Sequence, residues 1–172
     1  YFSAKNVTEG MFYVASRLYG LEFSERNDIP LYHPDVKTWE VKRDNRHIGI
    51  LMIDYHPRAS KRGGAWCSAM RSQRLDEDGN FVTPLVSMVT NFTPPSGDTP
   101  SLLTPDEAST LFHEFGHALH NLLSNTEYTS GTSRDFLELP SQIMEHWVFE
   151  PEVLKVYAKH YQTGEVIPDA LI

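Results

Sequence analysis

The apolar positions of the chain follow two rhythms, strand-like in much of the first hundred residues and helical after Thr104. From Thr104 to Leu122, Ala108, Leu111, Phe112, Phe115, Leu119 and Leu122 recur at three- and four-residue intervals, which predicts a helix with one apolar face. Its start is well marked. Thr104 suits the N-cap, Pro105 the first helical position, and Glu107 the place where a capping box needs a carboxylate. Further helices are predicted near Pro140 to Phe149 and from Pro151 to Tyr161, with Gly164 as the stop. Near the beginning, Met11, Val14, Ala15 and Leu18 predict a short helix capped by Thr8 and ended by Gly20.

In between, "TWEVKR" alternates apolar and charged positions, and "HIGILMIDYHP" follows after the turn "RDNR". This predicts an antiparallel hairpin of Trp39 to Arg43 with His47 to Tyr55. "SKRGGAWCSAM" reads as a strand entered through a glycine loop, without the spacing or the lysine of a phosphate-binding P-loop. "RLDEDGN" is a solvated turn with Asp78 and Gly79 at its tip, and "FVTPLVSMVTNF" is a strand whose Pro84 keeps its start at an edge or outside the ladder. The expected fold is α+β, mostly helical, with a small antiparallel or mixed sheet. Residues 1–103 form the helix-plus-sheet region and 104–172 the helices of one catalytic-domain fragment.

Composition narrows the function. A formal charge of −8, from 23 acidic and 15 basic residues with no long basic run, gives no electrostatic footprint for nucleic acid or an anionic membrane. Cys67 is the sole cysteine, which excludes an internal disulfide and a cysteine-based zinc knuckle and fits a reducing, cytoplasmic setting. The stretch from Ile48 to Ile53 is too short to span a bilayer. The chain starts at Tyr1 and stops just after a helix-start signal at Pro168 and Asp169, so it is expected to be a piece of a longer protein.

The strongest chemical signal lies inside the best-defined helix. In "HEFGH", His113 and His117 are four residues apart and so share one helical face, a spacing that offers two imidazole ligands to a tetrahedral zinc ion. Glu114, beside the first histidine, is placed to act as general base on a water at the metal. Gly116 lets a neighbouring segment come close to this turn. A third histidine in metzincin spacing is absent, because position 123 is Leu123. The third ligand is therefore sought among downstream acids.

Glu127 lies in a turn region, Glu145 is a surface acid or a partner of a ligand, and Glu138 follows a reversal through "TSGTS" that returns it to the histidine helix. If that segment is already helical, Asp135 stands one turn before Glu138, as acceptor for a ligand histidine or as an ordinary first-turn acid. His120, near the azimuth of the other two, would make a closed structural site as a fourth ligand; otherwise it packs behind them. His33, His47, His56, His146 and His160 have no comparable spacing.

"SLLTPDEASTLFHEFGHALH", "SGT", "RDFLELPSQIMEHW", "IDYHPRASKRGGAW" and "NFTPPSGDTPSLL" together resemble the thimet oligopeptidase family of zinc metallopeptidases. "GGAW" and "EHW" look more like its dipeptidyl carboxypeptidase branch than its endo-acting oligopeptidases. The resemblance implies one zinc ion held by His113, His117 and Glu138, with Glu114 as base. It also implies a zincin-like fold within a larger, mainly helical, channel-containing protein that cuts short unstructured peptides. In such enzymes the strand corresponding to "VSMVTNF" lies beside the active site, where an exposed edge would hold a peptide by main-chain hydrogen bonds; an ordinary sheet strand is the alternative. The loop before Glu138 is shorter than the family's, and its tyrosine and histidine donors to the tetrahedral intermediate lie beyond Ile172. On its own the chain is therefore expected to be a weak peptidase or inactive. The competing readings are an endo-acting oligopeptidase and a structural zinc or interaction module.

Overall fold

The computed structural model describes residues 1–127 and 131–172, so the expected reversal through "TSGTS" begins outside the described residues. Helix α1 (Ala4–Tyr19) is capped by Ser3, whose hydroxyl accepts from the Asn6 amide, one turn earlier than expected. Thr8 is therefore an interior residue. Its hydroxyl donates to the Ala4 carbonyl and meets the Tyr55 hydroxyl at 2.7 Å. Gly20 ends the helix as expected, at a φ of 66° that a side chain would disfavour.

Strand β1 (Leu21–Glu25) follows at once and was not foreseen: Leu21 and Phe23 alternate with polar neighbours, but over too few residues to stand out. Strands β2 (Lys37–Arg43) and β3 (Arg46–Asp54) form the expected hairpin, closed by Asp44 and Asn45 at positive φ, the turn that matches strand twist. After β4 (Trp66–Arg71), the run "FVTPLVSMVTNF" divides at Pro84, which has no amide proton to give a ladder. Its first part, β6 (Phe81–Val82), pairs with β5 (Arg74–Leu75) as a separate ribbon, while β7 (Leu85–Val89) joins the main sheet.

The sheet order is β1-β2-β3-β7-β4, with β7 parallel to β3 and antiparallel to β4. This mixed sheet is larger than expected, because β1 extends it. Strand β7 is also not an edge: both its sides are used, and among the described residues the free edge beside it belongs to β4. The β4 ladder shifts register between Ala69 and Arg71, with Met70 as the extra residue.

Helix α2 (Pro105–Leu122) carries the expected capping box and lies on β7 and β4, burying Leu111, Phe112, Phe115, Ala118 and Leu122. Helices α3 (Leu139–Val148) and α4 (Pro151–Tyr157) follow, α3 packed along α2. Helix α4 stops short of Tyr161, because Lys159 bridges to Val166 and Gly164 serves the turn between them. A short 3₁₀ turn (Asp169–Leu171) follows Pro168. Val7 and Met11 of α1, Leu51, Ile53 and Met88 of the sheet, and Phe112, Met144 and Tyr157 belong to one apolar cluster, so both halves of the chain share a core. No helix of the described residues is long and apolar enough to cross a membrane.

At the end of β3 the core meets a buried charge. Asp54 accepts a bidentate pair from Arg58, a bond from Lys61 Nζ at 3.0 Å and one from the Tyr32 hydroxyl. Burial pushes the Asp54 carboxyl up, but these three donors outweigh it and hold it at about 2. A carboxyl held below its unfolded value stabilises the fold fully above about pH 4, and the contribution disappears as pH falls through its folded value. Between pH 7 and pH 2 the parent is expected to lose about 2 kcal/mol through this group that Asp54→Asn does not lose. Equal pH slopes in denaturant titrations of the two proteins would reject this.

Candidate active site

Docking the apolar face of α2 on the sheet turns His113, Glu114 and His117 toward the side where α3 begins. The two imidazole rings lie edge to face with centroids 5.0 Å apart. Glu138, in the turn just before α3, places Oε2 3.3 Å from His113 Nε2 and 3.2 Å from His117 Nε2. Among the described residues, these three are the group whose ligand atoms all lie within 4.8 Å of one another. His120 is outside the group, edge-on to the Phe136 ring.

Glu138 is held by Ser141, whose hydroxyl donates to both its carboxylate and its carbonyl. That hydrogen bond leads in holding the Glu138 carboxyl below its usual range, with the two histidines adding to it. Burial lowers the pKa of His117, which favours the neutral imidazole that a metal requires. His113 Nδ1 is in contact with Glu145 Oε1, which leaves Nε2 facing Glu138.

Asp135, expected as a candidate for that outer position, has no hydrogen bond or ion pair with either histidine among the described residues. The physical reason is that residues 134–138 are a turn and the helix starts at Leu139, so Asp135 and Glu138 share no helical face. Glu145 and Ser141 take the supporting positions instead. Glu145 was read from the sequence as a surface acid or a partner of a ligand, and it contacts His113 Nδ1. Ser141 was missed, its signal being the spacing of three residues from Glu138, readable only once the helix start is known.

Glu114 is buried, and its Oε2 has no hydrogen-bond partner among the described residues. Burial pushes its carboxyl up, the His113 charge opposes this, and the Glu138 charge adds to it. A buried carboxylate oxygen left unpaired one residue along the helix from a donor histidine, outside the group of three, fits a site built for a cation and a polar reactant. The thiol of Cys67 on β4 is pushed up to about 12, by burial first and then by the Glu114 charge, and so stays protonated.

The sequence matches the profile of peptidase family M3 across residues 1–172. The chain belongs to peptidase family M3. Dipeptidyl carboxypeptidase of Escherichia coli is 44% identical over 99% of this chain and 26% of its own length. Oligopeptidase A of the same organism is 40% identical over 100% of this chain and 26% of its own length. The organellar oligopeptidase A of Arabidopsis thaliana is 39% identical over 98% and 23%. This M3 chain thus spans about a quarter of the length of these relatives. The thimet oligopeptidase resemblance read from the motifs is the same family.

Proposed function

We propose that the chain carries the zinc centre of a metallopeptidase that hydrolyses short unstructured peptides and releases C-terminal dipeptides. The observation that carries this reading is the three-residue donor set of His113, His117 and Glu138, with the buried, unpaired Oε2 of Glu114 carried by the residue next to His113. Three protein ligands rather than four are the pattern of a catalytic site, and this favours an enzyme over a structural zinc module.

His113, His117 and Glu138 would hold the ion, with Glu145 orienting the His113 ring. A bound zinc polarises a carbonyl and brings the pKa of water to about 7. Glu114 accepts the proton of the attacking water and delivers it to the leaving amine. The free edge of β4, beside α2, offers main-chain groups to an extended peptide. The family's zincin-like catalytic domain and channel would admit short peptides and exclude folded proteins, and the single cysteine suits a cytoplasmic location.

The first test is metal content. The protein is expected to bind one zinc per chain after reconstitution, and His113→Ala to lose most of it. Equal metal in parent and variant would reject the ligand set. The mode of cleavage is tested by mass spectrometry of peptide digests with the intact enzyme, in which successive loss of C-terminal dipeptides is expected. Internal cuts without a dipeptide ladder would favour the endo-acting reading, which the similarity to oligopeptidase A also supports.

A further inference from the structure

Between the end of β4 and the loop after α2 lies a contact that the proposed chemistry does not use. Gln73 is almost fully buried, and its side-chain amide is spent on one residue: Nε2 donates to the Thr126 carbonyl at 3.1 Å and Oε1 accepts from the Thr126 amide at 3.0 Å. A side chain here does what a rung of a β-ladder does, joining the chain that leaves the free-edge strand to the chain that leaves the histidine helix. The Gln73 end of both bonds is buried while Thr126 is exposed, so their loss removes the tie between the two segments although water can still reach the Thr126 backbone groups.

The two joined segments wall a cavity of about 140 Å³ that reaches His117. Its lining includes Ser72, His120, Asn121, Ser124 and Thr132. Asn121 gives its amide N–H to the His117 carbonyl, which leaves its side-chain oxygen as an acceptor, and the hydroxyls of Ser72, Ser124 and Thr132 supply both donors and acceptors. Among the described residues, no lysine, arginine, aspartate or glutamate lines it, and Leu137 is the apolar member of the lining.

We infer that this cavity is a side-chain subsite for a neutral, hydrogen-bonding residue of the peptide next to the cut bond, and that Gln73 positions its two walls. The inference rests on the peptidase reading above. Contact with His117 places the cavity within a residue or two of the bond at the metal cluster. An apolar side chain entering it would strip water from hydroxyl and amide groups without replacing the lost hydrogen bonds, so the site discriminates by chemistry more than by size. A charged side chain would find no lysine, arginine, aspartate or glutamate among the described lining residues.

The test uses the intact enzyme and quenched peptides that differ at one position, with Thr against Val and Asn against Leu placed in turn on each side of the cleaved bond. At one position the polar member of each pair is expected to be preferred by about tenfold in kcat/KM, mostly through KM. Asn121→Leu and Ser72→Ala, two independent changes to the lining, are each expected to bring that ratio below about threefold. Gln73→Met, similar in size but unable to bridge, is expected to reduce it as well. A ratio within twofold at every position in the parent, or one that survives all three substitutions, overturns the subsite while the peptidase reading stands. A parent that cuts none of the peptides overturns both.

Discussion

Glu114→Gln is expected to lower peptide turnover by a factor of about 10² to 10⁴ while zinc content stays at the parent level. The amide keeps the size of the side chain but cannot take a proton from water. Glu114 lies next to His113 in sequence, yet its carboxyl is apart from the cluster of three donors, so metal retention should not depend on it. Its Oε2 is buried and unpaired, and burial disfavours its charge, so the variant is also expected to be no less stable than the parent. Turnover of a quenched peptide at the parent rate would reject Glu114 as base, and loss of zinc would make it a ligand instead.

Gly116→Ala is expected to damage fold and site together. A Cβ built at Gly116 would stand 2.4 Å from the Pro140 carbonyl oxygen and 2.5 Å from Ser141 Cα, both backbone atoms of α3 that no rotamer change can move. Alanine's better helix propensity, worth about 1 kcal/mol, works in the opposite direction but is the smaller effect. Overpacking of this kind costs about 3 kcal/mol, and relief requires α3 to back away from α2. Ser141 and Glu138 would move with it, so zinc affinity is expected to fall by tenfold or more, as for other changes to the partners of metal ligands. Chemical unfolding and a competitive zinc titration measure the two effects. A variant as stable as the parent, with the same affinity, would show that the close approach is dispensable.

The parts legible in the sequence were those set by local rules. Helix α2 announced itself through its period and its capping box, and the hairpin through the Asp44-Asn45 turn. The histidine pair followed from helical spacing alone. What could not be read depended on contacts distant in sequence. The interior place of β7 is decided by its pairing with both β3 and β4, whereas Pro84, read locally as a start at an edge or outside the ladder, proves to lie outside it. Ser141 meets Glu138 only because α3 starts one residue after it, and the same start decides between the two readings of Glu145, surface acid or partner of a ligand. Gln73 meets Thr126 across 53 residues, and no periodicity marks such a pair.

The edge of β4, free among the described residues, has a consequence for the behaviour of this chain at high concentration. A strand that can accept a peptide can equally accept a strand from another sheet, which is how edge-to-edge association and aggregation begin. Here the register shift at Met70, with Arg71 next to it, breaks the regular spacing of backbone groups just past Ala69. The usable template is confined to the stretch from Trp66 to Ala69, long enough to grip a short extended segment and too short to seed a growing sheet.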